Sequence, residues 1–289
     1  MFKVDNAVIM AAGTASRFAP LSYERPKALI EVKGEILIER QIRQLKEAGI
    51  DEIIIVVGYM KEAFMYLKEK FGVKIIENNE YLTRNNNSTI YAVKDYLKNT
   101  YICSSDNYFS VNPFESEVDG AYYSAIYADG ETKEWCMTEG EDGYIDSVTI
   151  GGKDAWFMLG HAFWTKEFSE KFLEILLDIY EKPETTDLLW ESIYMANLDT
   201  LKMKIRKYDT DVIFEFDTLD ELREFDTTYV NDTRSAILKQ VADALSIKES
   251  DIVNVTAYKT ADNSAAGMKF NVGSRLYQYS YADKNLKEI

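Results

Sequence analysis

The chain has 289 residues, 46% of them hydrophobic, which is enough for one large core or two smaller ones. With 33 basic and 49 acidic residues its net charge is -16, which disfavours nucleic acid and anionic membranes as partners. Any anionic substrate then needs a local basic pocket or a metal, and one histidine, His161, leaves little material for a Ser–His nucleophile or a histidine metal cluster.

The N-terminus, MFKVDNAVIM, lacks the apolar core of a secretory signal. NAVIMAA is a near-continuous apolar run and predicts a strand buried on both faces. ILIERQIRQLKEAGI places Ile38, Ile42 and Leu45 at helical spacing, with Gly49 as its cap. DEIIIVVGY predicts a second buried strand, too short to span a bilayer. KEAFMYLKEKFG repeats the helical pattern and VKIIEN the strand. Strand, helix, strand, helix, strand with short turns implies parallel pairing.

NNNSTIYAVKDYL predicts a capped helix, and TYICSSDNYF a strand ending in a turn at Asp106. From Ala121 to Trp164 four strand-like stretches follow, with turns expected at Gly130, Gly140, Gly143 and Gly151–Gly152. Two helices are expected next, around EFSEKFLEILLDIYE and TTDLLWESIYMANL. LKMKIRKYD and DVIFEFDT then predict strands, the second holding Asp217, and LDELREFD closes the unit near Thr228. Beyond it lie a helix with Ile237, Val241 and Leu245 on one face and two strand-like stretches, a small α+β appendage. Domains are therefore expected at 1–228 and 229–289. Cys103 and Cys136 have no metal-ligand spacing and predict reduced thiols in a cytoplasmic protein.

The turn after the first strand carries the chemistry. Gly13 with the small Thr14, Ala15 and Ser16 lets backbone N–H groups approach a phosphate, Arg17 offers bidentate contacts and Lys27 a point charge. An ordinary strand-to-helix turn with surface cations accounts for the same residues equally well. The stretch is neither a Walker loop nor a dinucleotide fingerprint. Its residues do fit another signature: a strand, then Gly13, Ala15, Ser16, Arg17 and Pro20, then Pro26–Lys27. In this the chain resembles the nucleotidyltransferases that make nucleotide-diphospho compounds, and more narrowly the bacterial CTP:phosphocholine cytidylyltransferases. The resemblance runs over residues 1 to 228 through PKALIEV, Asn85–Asn86, DNY at Asp106, Glu134–Trp135, Phe163–Trp164, DLLW at Asp187 and EFDT at Asp217.

The resemblance implies an α/β, Rossmann-like fold with a mixed, mostly parallel sheet. It implies Asp106 and Asp217 as ligands of a catalytic Mg2+, with Arg17 and Lys27 gripping the triphosphate of CTP. Ala11, Ala12, Gly13, Thr14, Ala15, Ser16, Gly58, Tyr59, Asn86, Thr89 and Ser105 are the expected nucleotide contacts. Glu134, Trp135, Trp164, Asp187 and Trp190 are the expected contacts of phosphocholine, since a quaternary ammonium is recognised by aromatic faces and carboxylates. Leu189 departs from the aromatic that choline-specific relatives carry there, so phosphoethanolamine, an aminoalkylphosphonate or a sugar 1-phosphate stay open as acceptors. A weakly catalytic regulatory protein of the same fold is the remaining alternative. His161 is expected to be structural. The tail resembles the first pieces of a choline-kinase-like N-lobe, with packing or homodimer formation as its expected roles.

Overall fold

The computed structural model describes residues 1–259 and 265–289, so the TADNS stretch at the centre of the kinase-lobe resemblance lies outside the described residues. The chain divides into two compact units, one of residues 1–13 and 37–215, the other of residues 14–36 and 216–289. Residues 229–289 thus share a unit with the signature segment that follows Gly13.

The first unit is built on a seven-stranded sheet. In chain order its elements are β1 (Asn6–Ala11), α1 (Leu37–Glu47), β2 (Ile53–Val57), α2 (Tyr66–Phe71), β3 (Lys74–Glu77), α3 (Asn87–Ala92), β4 (Thr100–Ser104), β5 (Asn107–Phe109), β6 (Tyr122–Glu139), β7 (Ile145–Trp164), α4 (Lys166–Ile179), α5 (Trp190–Met195), β8 (Lys204–Lys207) and β9 (Ile213–Glu215). The sheet order is β8-β6-β7-β4-β1-β2-β3; β4, β1, β2 and β3 run parallel, as do β6 and β8. β7 pairs antiparallel with both β6 and β4, which makes the sheet mixed but mostly parallel. The apolar runs explain the parallel part. All five residues of β2 are buried, and Ile38, Ile42 and Leu45 of α1 are fully covered.

The four strands expected between Ala121 and Trp164 are instead two long ones, β6 and β7. Gly130 and Gly151 adopt positive φ of 91° and 79° inside them, where the register slips, and only Gly140–Gly143 makes the reversal. Glycine conformations that imitate turns are here bulges in a continuing ladder. DVIFEFDT is likewise shorter than expected as a strand: β9 stops at Glu215, and Asp217 lies beyond it. β9 pairs antiparallel with β5.

His161 is buried, its Nε2 2.9 Å from the Tyr122 hydroxyl, and burial first and the Arg206 charge second push its pKa down to about 3. It is a neutral packing residue. Both cysteines are buried and free.

The second unit carries α6 (Leu219–Phe225), α7 (Ala236–Leu245) and a meander of β10 (Ile252–Lys259), β11 (Ala265–Val272), β12 (Arg275–Ser280) and β13 (Leu286–Glu288). All three of the meander's pairings are antiparallel. α7 buries Leu238, Val241 and Ala242, a face turned one residue from the expected Ile237, Val241 and Leu245. Met268, Phe270, Tyr277 and Tyr279 of β11 and β12 are also buried. The Tyr279 hydroxyl donates to Gln240 Oε1 of α7 at 3.3 Å, tying helix to sheet.

Candidate active site

The expected site residues fall in both units. In the first unit, the parallel register sets Met10 beside Ser104 and Ala11 beside Val57. Ala12–Gly13, Gly58–Tyr59 and Ser105–Asp106 therefore leave the sheet at the same carboxyl edge, where open α/β sheets bind ligands. Tyr59 N donates to Ala12 O at 3.0 Å, which closes the two turns on one another. A Cβ on Gly58 would come within 2.6 Å of the Tyr81 ring and 2.9 Å of Ala12 O, so only glycine fits. Gly13 is exposed and has nothing within 4 Å of where a Cβ would stand.

Asp106 sits on the turn between β4 and β5 and is partly buried. Asn107 next to it is 1% exposed, and its side-chain amide meets no hydrogen-bond partner among the described residues. The Asp106 carboxylate at this strand end is a hard oxygen donor, the kind Mg2+ takes along with phosphate oxygens and water. The residues present fit that ion.

A second group in this unit centres on Glu191, which the sequence reading missed. Asn86 Nδ2 donates to Glu191 Oε2 at 3.0 Å, and the Tyr123 hydroxyl donates to Oε1 at 3.4 Å. Asn86 Oδ1 accepts from the Trp190 N–H at 2.7 Å, so one asparagine fixes both the start of α5 and its carboxylate. Tyr123 stacks on Trp190, ring centroids 5.6 Å apart at 17°. Glu191 keeps some accessible surface but is enclosed by protein on most sides. Burial pushes its carboxyl up to about 7 against the opposing pull of Asn86 and Tyr123. Tyr123 is pushed well above its usual range by burial first and the Glu191 charge next.

The expected acceptor residues separate around this group. Trp135 is partly buried and packs on the core, Glu134 is exposed beside it on β6, and Asp187 is exposed ahead of α5. Trp164 is completely buried among Phe168, Phe172 and Trp190, with centroids 5.1, 4.5 and 5.1 Å away. It has no surface to offer an acceptor, and its role is packing, because β7 delivers it to the inner face of the sheet. Trp190 is 1% exposed and serves as the platform under Tyr123. Tyr194, one turn beyond Trp190 on α5, is fully buried as well. Thr89 is also enclosed, its hydroxyl accepting from Asn78 Nδ2 at 3.2 Å.

In the second unit, Ala15 adopts the left-handed conformation (φ 46°) and starts a 3-10 turn over Ser16–Phe18. This brings Arg17 Nη1 to 2.5 Å from Asp217 Oδ2. Lys27 Nζ lies 3.7 Å from Asp217 Oδ1 and 5.6 Å above the Phe18 ring. Arg17 is three-quarters exposed whereas Lys27 is 6% exposed, so one cation is free to turn and the other is set in place. Asp217 itself is held by the chain that follows. Its N–H donates to Glu221 Oε2 at 2.6 Å, and Thr218 and Glu221 close a capping box on α6. The arrangement is two cations around the Asp217 carboxylate, with the Glu221 carboxylate behind it, on a turn with accessible backbone. It can exchange its carboxylate contact for a polyphosphate.

A model of the MobA-like NTP transferase domain matches residues 7–109. The chain is 34% identical over 226 residues to a choline-phosphate cytidylyltransferase of Streptococcus pneumoniae, which covers 78% of this chain and 99% of the relative. It is 35% identical over 234 residues to a 2-aminoethylphosphonate cytidylyltransferase of Lancefieldella rimae, covering 80% of this chain and 95% of that one. A solved structure of the CTP:phosphocholine cytidylyltransferase from Streptococcus pneumoniae superposes with a TM-score of 0.75 at 35% identity, over 78% of this chain and 99% of that chain.

Proposed function

Starting from the fact that the chain belongs to the bacterial choline-phosphate cytidylyltransferase family of nucleotidyltransferases, we propose that it transfers CMP from CTP to phosphocholine, releasing pyrophosphate. The observation that carries the reading is the Arg17–Lys27–Asp217 cluster on the signature turn. A nucleotide triphosphate can take over the contacts that Arg17 and Lys27 make with Asp217.

Each group then has a chemical task. A phosphate oxygen of the acceptor attacks the α-phosphorus, the bond from that phosphorus to the bridging oxygen breaks, and the electron pair leaves with pyrophosphate. A phosphomonoester has its second pKa near 6, so the nucleophile is already mostly a dianion at pH 7 and needs no protein base. That suits a chain whose one histidine is buried and neutral. Gly13 and the following backbone, with Arg17, would hold the β- and γ-phosphates. Lys27, already desolvated, would offset charge at the α-phosphate, where it builds up in the transition state. Mg2+, when bound, would neutralise phosphate oxygens of the nucleotide; Asp106 in the first unit is the carboxylate we assign to hold it, and Asp217 in the second is the one the resemblance implies. For the acceptor, Glu191, held by Asn86 and Tyr123, supplies negative charge for an ammonium group, and Asp187 lies exposed ahead of the same helix.

One observation favours a second reading. Leu189 occupies the N-cap of α5 where an aromatic would complete a cage, while Asp187 and Glu191 remain as carboxylates. That balance suits a primary ammonium, as in a 2-aminoethylphosphonate acceptor. Pyrophosphate release measured with CTP and a panel of phosphocholine, phosphoethanolamine, 2-aminoethylphosphonate and glucose 1-phosphate decides between them. The highest kcat/KM is expected with phosphocholine. A higher value with 2-aminoethylphosphonate would establish the second reading, and preference for the sugar phosphate would sink both.

A further inference from the structure

The segment after Thr228 is wired to the signature turn at several independent points of the second unit. Tyr281 stacks on Tyr23, centroids 4.3 Å apart at 24°. Glu24 Oε1 accepts from the N–H of Ile237, so a carboxylate of the signature segment sits on the N-terminus of α7. Arg234 reaches Glu31 Oε1 at 3.1 Å and lies 4.5 Å above the Tyr229 ring, whose hydroxyl donates to Glu31 O. β10 runs beside the Ser16–Phe18 turn that carries Arg17. The tail is in turn bolted to α6, the helix that follows Asp217. The buried Arg223 donates to Ile252 O and Glu249 O, and Asn254 N donates to Asp220 Oδ2.

We propose that residues 230–289 are a positioning element for the nucleotide-gripping turn: by holding Tyr23 and Glu24, they fix the backbone that presents Arg17 and Lys27 to Asp217. The claim rests on the reading of that turn as the CTP grip and goes beyond it, since it gives the tail a task in selecting substrate affinity. Arg17 is exposed on a turn only three residues long, Phe18 and Ala19 are buried behind it, and β10 of the tail packs beside that turn. Tyr23 and Glu24 lie on the next helical turn (Leu21–Glu24), and both find their partners in the tail. Loosening them frees the turn without touching Arg17, Lys27 or Asp217.

The test uses the full chain with Tyr281→Ala and, because Tyr23 is already exposed and its loss leaves the core intact, Tyr23→Ala. Tyr281→Phe keeps the stack and serves as rescue. Hydrogen exchange of residues 14–29 without ligand is read alongside KM for CTP and for the acceptor. Either alanine variant should speed exchange in 14–29 by about tenfold, the scale of one aromatic pair. The CTP KM should rise by a similar factor, the acceptor KM should stay within about twofold, and the phenylalanine variant should restore both readings. Unchanged exchange in 14–29 would overturn the proposal. So would a parallel rise of both KM values, or faster exchange with an unmoved CTP KM. If the wild-type chain does not turn CTP over, the functional reading has failed instead, and the exchange measurement still decides whether the tail holds the turn.

Discussion

The Glu191 group and the Arg17–Lys27–Asp217 group handle charge in opposite ways. Glu191 is one carboxylate in a mostly enclosed place, steadied by neutral donors from Asn86 and Tyr123 and pushed up to about 7. Asp217 is a carboxylate with two cations around it, one of them mostly in solvent. An enclosed charge without a counter-ion is costly and responds strongly to pH or to an incoming cation. An exposed ion pair costs little to break, because water replaces each partner. The first group is suited to sensing a small cation, the second to exchanging partners when a highly charged ligand arrives.

The largest effect is expected at the fixed cation. Lys27→Ala should lower kcat by on the order of a thousandfold, as for loss of one preorganised transition-state contact, with pyrophosphate release as the assay. Near-wild-type turnover would remove Lys27 from the chemistry. Arg17→Ala should cost less, about 10- to 100-fold in kcat/KM for CTP, the worth of a charged hydrogen-bonding group. Its effect should shrink at high salt, since Arg17 is exposed.

For Glu191 the sign follows from the raised carboxyl. Below about pH 7 the folded protein keeps Glu191 neutral, and above it the group is charged. The acceptor KM should therefore fall by about tenfold from pH 6 to pH 8 beyond the change caused by the acceptor's own phosphate. Glu191→Gln should flatten that part of the profile. The same shift predicts a stability signature. Between the ordinary carboxylate value of 4.5 and about 7 the native state binds a proton the unfolded chain has shed, so stability falls as pH rises through that window. The glutamine variant should gain in melting temperature relative to wild type at pH 8 compared with pH 5. The smallest functional effect is expected at Trp164. Trp164→Phe should leave the acceptor KM within about twofold while lowering stability by about 1–3 kcal/mol, as for other core truncations. A large KM effect with unchanged stability would restore Trp164 to the acceptor site.

The parallel half of the sheet was legible in the sequence because strands buried on both faces leave unbroken apolar runs, as in Ile53–Val57. The long β6–β7 ladder was not, because Gly130 and Gly151 in left-handed conformations are locally indistinguishable from hairpin turns. Arg17, Lys27 and Asp217 were found through motif order, and they meet. Glu191 left no local signal. It follows Trp190 at the start of a short helix, where a glutamate ordinarily faces water and favours the helix dipole. Only Asn86 and Tyr123, more than sixty residues away in the chain, give it a different meaning. The buried tryptophans show the converse. Their residue type matched a ring cage, but burial is decided by the sheet face to which β7 and α5 deliver them.

The carboxylate at the centre of the signature turn has one further consequence. A turn paired with its own counter-ion behaves like an ion-exchange resin already loaded with the wrong ion. Inorganic phosphate or a bare nucleotide can draw Arg17 away only by leaving Asp217 short of positive charge. A ligand that arrives as an anion together with a divalent cation satisfies both sides of the exchange at once. The turn would then discriminate by charge bookkeeping as well as by shape. CTP stripped of metal should bind weakly to the wild-type chain, and Asp217→Asn should narrow the gap between metal-free and metal-loaded nucleotide in a direct binding measurement.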